Sequence, residues 1–506
     1  MNYELICKAV LIAFAAAGAF ALLRGRPDWL LWQLLAGMNL GGFNWYVGTL
    51  IEPAKITMAI GLVYLALHSS KWASRVTATG NSIIYGCFVL VGVSVGMAFL
   101  IPVPNIPVQS SGFQSLALRP LVQAYTYCSV LASSLLVLSA LTNKRKIVLF
   151  CDVYIGCALF SSVVAVVQFA MLQSGRGFMP ILRWNAEHSE MAAFSANETL
   201  VTRLYAFAGE PKHLAAFLLP AVFMVLTSLV VEGWRPWWAR WWVLAVVSFA
   251  FLFTFSTAAL ISFAVGFVFL MRVVGHGGVG KLVSLGAISF LVCALALAVD
   301  HELASRSRIG HIKTRPSLGE VIYERAVGRV SEQGENISEY SSLKYIFNQK
   351  PVGLLAGLGP GMYVFHLDKT WEKGIEPVVS GWISMLLDLG IAGTGLFLLW
   401  LYGVWRQSLD WVTASRGLSE MSPVIIVCLA GFVGAIFVNA GILANLHICI
   451  LAGVLEAARP QVLARSADSG EKPTSPAMTS EAVPLSPASR GRRVRSSLPR
   501  ANRRYR

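Results

Sequence analysis

Two stretches of this chain put charged side chains and helix-start signals next to each other. The first reads Arg203-Leu204-Tyr205-Ala206-Phe207-Ala208-Gly209-Glu210-Pro211-Lys212-His213 and leads directly into an apolar run. Proline suits the first turn of a helix and cannot continue one from before it. A cation, a carboxylate and a helix start therefore converge at Arg203 to Pro211. A helix N-terminus with a guanidinium close by favours a phosphate group; the competing reading is ordinary charge flanking an apolar run. In the second stretch six cations, Arg306, Arg308, Lys313, Arg315, Arg325 and Arg329, stand against two acids, Glu320 and Glu324. Guanidinium forks grip phosphate oxygens in pairs, so a diphosphate is the natural client, with a solvated basic helix as the alternative.

Further along come Pro351, Gly353, Gly357, Gly359 and Gly361, then Ser380-Gly381-Trp382 and an apolar run through Leu386, Asp388, Gly390 and Gly393. The glycines make the backbone permissive, which allows it to pass close to a bulky substrate. No Gly-Lys-Ser or Gly-Lys-Thr follows, so a nucleotide P-loop is not supported. The chain has no His-Glu-x-x-His and no Cys-x-x-Cys, and no protein-held metal or other cofactor is expected. His447, inside an apolar run, reads as a packed or hydrogen-bonded histidine.

The elements that must position these residues are membrane spans. With 56% hydrophobic and 13% charged residues over 506 positions, and a mean hydropathy of +0.63, the chain has too little polar surface for a soluble globule. A span needs roughly 20 mostly apolar residues. Candidate spans lie at 5–23, 28–50, 54–69, 82–103, 118–142, 147–172, 212–231, 240–255, 257–274, 281–299, 381–404, 423–440 and 442–458. The expected fold is an all-α polytopic membrane protein of twelve or thirteen spans over residues 1–458, with outer loops at about 174–211 and 300–379. The eight cysteines all lie in apolar stretches, so a disulfide framework is not expected.

Short loops rich in Lys and Arg stay cytoplasmic, which places Lys144 to Lys146, Arg235 to Arg240, Arg272 to Lys281 and Arg406 to Arg416 inside. The two long loops then face the periplasm or cell exterior. Thirteen spans put Met1 outside and twelve put it inside. The net charge of +15 is concentrated in the last stretch, from Arg490 to Arg506, with no acid after Glu481. Residues 459–506 are expected to be a disordered basic cytoplasmic tail near anionic membrane lipid, and nucleic acid is not an expected partner.

From about Leu118 to Val404 the chain resembles the bacterial O-antigen polymerase and O-antigen ligase superfamily. Arg203 with Gly209-Glu210-Pro211 is similar to the family's Arg followed by Glu-Pro ahead of a span. Thr254-Phe255-Ser256-Thr257-Ala258 resembles its Thr-x-Ser-Arg-Gly turn, with Thr257 in place of the arginine. Pro351 with the glycines through Gly361 is similar to the Pro-x-x-Gly-x-Gly stretch closing the family's large outer loop. Ser380 through Gly393 matches the span that follows. Ligase-type members place a His-Asn pair where this chain has Val379 and Ser380, and the arginine they carry ahead of the closing proline is missing, with Glu339 nearby.

The resemblance implies a metal-independent glycosyltransferase in the bacterial inner membrane, active at the outer face, that joins polyprenyl-diphosphate-linked repeat units. In that scheme Arg203 is the first choice for the diphosphate, followed by Arg308, Arg315, Arg325 and Arg329. The base is expected to be Glu210, then His213 or His366. A chain-length regulator and other polysaccharide-assembly proteins are the implied partners. The rival readings are an O-antigen ligase and a flippase or other transporter of lipid-linked sugars.

Overall fold

The computed structural model describes residues 3–46, 50–69, 78–102, 117–173, 193–196, 199–254, 256–275, 278–284, 287, 308–309, 312–313, 351–366, 381–414, 421–437 and 442–468. In chain order the helices are α1 (Tyr3–Leu23), α2 (Pro27–Met38), α3 (Pro53–Leu67), α4 (Ala78–Leu100), α5 (Arg119–Ala140), α6 (Lys144–Gln173) and α7 (Pro211–Val230). They continue with α8 (Trp241–Leu252), α9 (Thr257–Val274), the short α10 (Pro351–Ala356) and α11 (Tyr363–His366), α12 (Gly381–Ala414), α13 (Ser422–Phe437) and α14 (Ile442–Asp468). Among the described residues six helices, α1, α4, α5, α6, α7 and α12, are long and apolar enough to cross a membrane. Large apolar side chains such as Ile12, Val89, Ile261 and Leu399 also face outward. A bundle that is apolar on both its inner and outer surfaces suits a lipid surround.

The chain divides at Arg465, and residues up to that point form one unit. Helix α14 continues beyond the expected end of its span to Asp468. The rest of the expected tail lies outside the described residues.

Two features depart from an all-helical bundle. Among the described residues, three two-stranded antiparallel hairpins stand in the connections: β1 (Trp45–Tyr46) with β2 (Leu50–Ile51), β3 (Ala193–Ala196) with β4 (Thr199–Thr202), and β5 (Arg308–Ile309) with β6 (Ile312–Lys313). The run at 28–50, expected as one span, is a helix only as far as Met38. There Asn39 turns its side-chain amide back onto Leu35 O at 3.0 Å and accepts from Ser161 Oγ at 2.7 Å. Gly41, Gly42 and Asn44 then lead into β1, and such residues favour turns over helix.

Hydrogen bonds sort the helix ends into two sets. At one end Tyr3 Oη donates to Gly42 O at 2.7 Å, and Gly42 N–H donates to Phe207 O at 2.9 Å. The same end holds Tyr125 Oη on Lys55 O at 3.0 Å, so the starts of α1, α3, α5 and α7 share it. At the other end Asp28 meets Arg26 at 2.9 Å and Lys146 at 3.9 Å, and Glu232 meets Lys281 at 2.8 Å. The Lys281 ammonium holds the Glu232 carboxyl below its ordinary value.

Helix α7 is the centre of the bundle, and most of its residues are buried. It packs on α13 through small residues: a Cβ at Gly434 would lie 3.0 Å from Pro220 Cα, and one at Gly431 would lie 2.8 Å from Met224 Cγ. Close backbone approach of this kind compensates for the weak hydrophobic drive between helices in lipid.

Helix α12 is broken at Gly390, whose φ of 69° and ψ of −175° lie in a region open almost only to glycine. Gly357, at φ 84°, packs against this break. Carbonyls near the break take outside donors: Leu358 N–H donates to Leu387 O at 2.8 Å, and Ser94 Oγ donates to Asp388 O. The α10–α11 segment and α4 therefore each supply a donor to carbonyls that α12 presents near its break.

Candidate functional site

The turn from Arg203 to Glu210 is held from three sides. Arg203 Nε donates to Thr254 O at 2.9 Å and Leu204 N–H to Phe253 O at 3.1 Å. These bonds bring the Arg203 stretch against the Thr254 turn. From α6, Gln168 Oε1 accepts the amides of Tyr205 at 3.1 Å and Ala206 at 2.9 Å. Ala206 sits at φ 47°, a left-handed conformation that costs a non-glycine residue energy and persists only where neighbours over-determine it. Phe207 packs on Phe43, with ring centroids 5.5 Å apart. Burial pushes the Tyr205 phenol up.

Gln168 is fully buried, so replacing it by methionine strands two buried amides. Each stranded amide costs about 1–3 kcal/mol. Gln168→Met is expected to destabilise the detergent-extracted protein, seen as a lowered unfolding midpoint by tryptophan fluorescence on heating. An unchanged midpoint would show that the turn is held without this glutamine.

Glu210 follows in extended backbone, φ −152° and ψ 132°, and Pro211 starts α7. The Glu210 side chain is 8% exposed and faces an ammonium and an imidazole, with Oε1 2.8 Å from Lys212 Nζ and Oε2 3.1 Å from His213 Nε2. Because Nε2 of His213 points at a carboxylate it carries the ring proton, and Nδ1 becomes the acceptor of the neutral ring. A base oriented by a carboxylate is a recurrent catalytic arrangement.

A second polar cluster lies where α10 and α11 meet α12. Asp388, buried in α12, accepts Gly361 N–H on Oδ1 at 2.8 Å and Tyr127 Oη on Oδ2 at 2.9 Å. Arg119, at the start of α5, donates from Nε to Gly361 O at 2.8 Å and lays its guanidinium over the Phe365 ring, 5.1 Å from the centroid. Burial, and then the Asp388 charge, pushes the Tyr363 phenol up to about 12, so it remains neutral.

The structure thus joins Glu210 with His213 and sets Arg203 on the same turn. His366 is buried at the end of α11, in the second cluster beside Phe365. The backbone of Arg308 lies in β5, in register with Lys313. Arg315, Arg325 and Arg329 lie outside the described residues. The glycines expected to pass near a substrate approach the chain's own helices instead: a Cβ at Gly357 would reach the Asp388 and Leu389 backbone, and one at Gly361 would lie 2.6 Å from Gln123 Cγ. His447 meets Tyr154 Oη at 3.3 Å, in keeping with a hydrogen-bonded histidine. Among the described residues no group of three or more His, Cys, Asp or Glu side chains is placed to share a metal ion.

Sequence reasoning passed over Arg119 and Asp388. The available signal was an acid well inside an apolar run, since an intramembrane charge always needs a partner. Compared with known proteins, the chain matches no family model and finds no match among curated proteins.

Proposed function

We propose that this protein is a glycan polymerase that joins polyprenyl-diphosphate-linked oligosaccharide repeat units at the outer face of a bacterial inner membrane. One observation carries the reading: Arg203 and the Glu210–His213 pair share one rigidly held turn at the end of the bundle where the central helix begins. In the reaction a hydroxyl of one repeat attacks the anomeric carbon of a chain held on the diphosphate. The anomeric bond to the phosphate oxygen breaks, and its electron pair leaves with the diphosphate. Arg203 stabilises that leaving charge, together with Arg308, Arg315, Arg325 and Arg329 from the large outer loop. A well-placed donor of this kind is worth roughly 3 kcal/mol. His213 takes the hydroxyl proton, and Glu210 holds the imidazole in place and balances its charge.

A ligase would use the same donor with another acceptor, and the Val379-Ser380 departure weighs against it. One observation bears on transport, the carboxylate of Asp388 inside α12. Its oxygens take Gly361 N–H and Tyr127 Oη, which makes it a fastener of the protein rather than a partner for cargo. The test is to run the lipid-linked sugars of a deletion strain on a gel. Single repeats on the carrier at the outer face are expected. Finished polymer left on the carrier would point to a ligase, and repeats held inside would point to a flippase.

A further inference from the structure

Beside the Glu210 turn is a cavity of about 30 Å³ whose lining includes Gly37, Gly41, Glu52, Ala208, His213 and His447. Three of these side chains titrate, and they come from distant parts of the chain. Glu52 stands in extended backbone directly ahead of Pro53, which starts α3, and is 2% exposed. Close packing of α2 on α3 puts it there: a Cβ at Gly37 would lie 2.9 Å from Ala54 N. His447 comes from α14 and is 6% exposed. Its ring is fixed by Tyr154 Oη at 3.3 Å on Nδ1 and by Phe217, edge to face at 5.3 Å between centroids. His213 arrives from the first turn of α7, already paired with Glu210.

A water needs about 10–15 Å³ of such space and two to four polar partners; the volume suffices, and Glu52, His213 and His447 are among the lining residues. Ionisable side chains inside an apolar bundle are costly and mark functional sites, yet the transfer chemistry proposed above uses neither Glu52 nor His447. We infer that this cavity holds a water that carries the transferred proton from His213 to Glu52, with His447 orienting that water.

The inference rests on the proposed transfer and supplies the exit for its proton. The acceptor hydroxyl gives its proton to the His213 imidazole as the new glycosidic bond forms. The imidazolium hands a proton to the cavity water, which gives one to the Glu52 carboxylate, and Glu52 later releases it to solvent. His213 returns neutral for the next transfer. Among the described residues, the titratable side chains lining this space are Glu52, His213 and His447, with Glu210 and Lys212 joined to His213, Tyr154 of α6 on His447, and Lys55 following Glu52 at the start of α3. Lys55 is turned onto Leu50 O at 2.9 Å.

The full chain in proteoliposomes, supplied with a polyprenyl-diphosphate-linked repeat unit, provides the test. Glu52→Gln is expected to lower turnover about tenfold to a hundredfold, at or below the lower edge of the 10²- to 10⁴-fold range for a group that takes the proton directly, with KM for the lipid-linked donor unchanged. Glu52→Asp is expected to recover most of that loss. Wild-type turnover and an unchanged pH–rate profile in Glu52→Gln would overturn the inference. A second arm needs no Glu52 variant: dicyclohexylcarbodiimide, which attacks protonated carboxyls in apolar surroundings, is expected to label Glu52, and His213→Ala is expected to shift the pH at which labelling falls away. Labelling indifferent to His213→Ala would overturn the inference even if Glu52→Gln failed to fold. Coupled labelling in a wild-type protein that forms no polymer would uphold the Glu52–His213 connection and overturn the transfer reaction itself.

Discussion

Asp388→Ala is expected to destabilise the detergent-extracted protein by about 2–6 kcal/mol, because it strands two buried donors at about 1–3 kcal/mol each. Those donors are Gly361 N–H and Tyr127 Oη, held at 2.8 and 2.9 Å. The loss is large beside the roughly 5–15 kcal/mol that separates folded from unfolded domains. It also falls where α12 is already broken at Gly390, so the α10–α11 segment keeps the Leu358 to Leu387 backbone bond but loses its bond to the Asp388 side chain. Tyr127→Phe removes one of the stranded donors. The double change Tyr127→Phe with Asp388→Ala should therefore cost less than the two single changes added together, as interacting pairs do. Thermal unfolding followed by tryptophan fluorescence checks both statements. A loss below about 0.5 kcal/mol, the range of an ordinary surface change, would mean that Asp388 fastens nothing.

The second large effect concerns catalysis. His213→Ala is expected to cut polymer formation about 10²- to 10⁴-fold, the range for removal of a positioned proton acceptor. Glu210→Ala should lose a similar amount, since the imidazole would then keep neither its orientation nor its balancing charge. Groups that act as one unit do not multiply their losses, so the double change should be hardly worse than either alone. The check is polymer made by cells carrying each variant, at protein levels matched by immunoblot. Losses that multiply would show that the two residues act independently. Normal polymer from His213→Ala would remove it from the reaction.

The parts of this architecture that local chemistry decides were readable in the chain. Apolar runs at 5–23, 147–172 and 212–231 correspond closely to Tyr3–Leu23, Lys144–Gln173 and Pro211–Val230, because one continuous apolar stretch in lipid has little choice but to close its own hydrogen bonds as helix. The start of α7 was readable too, since Pro211 fixes it; the pairing of Glu210 with His213 depends on the extended backbone of Glu210 and was not. The run at 28–50 misled because hydropathy does not register that Asn39, Gly41 and Gly42 prefer turns. What stayed hidden was pairing across long separations. Nothing near Asp388 announces Tyr127, and nothing near Arg203 announces the Thr254 carbonyl or the Gln168 amide. Nothing around Glu52 in the chain announces His213 or His447, which line the same cavity. Contacts of this kind come from how helices pack, which the pattern within any one of them does not encode.

The bond from Tyr3 to Gly42, followed by that from Gly42 to Phe207, has a consequence for biogenesis. Tyr3 and Gly42 are translated well before Phe207, with several spans between them. The second of these bonds can therefore close only after the chain has been threaded as far as the start of α7.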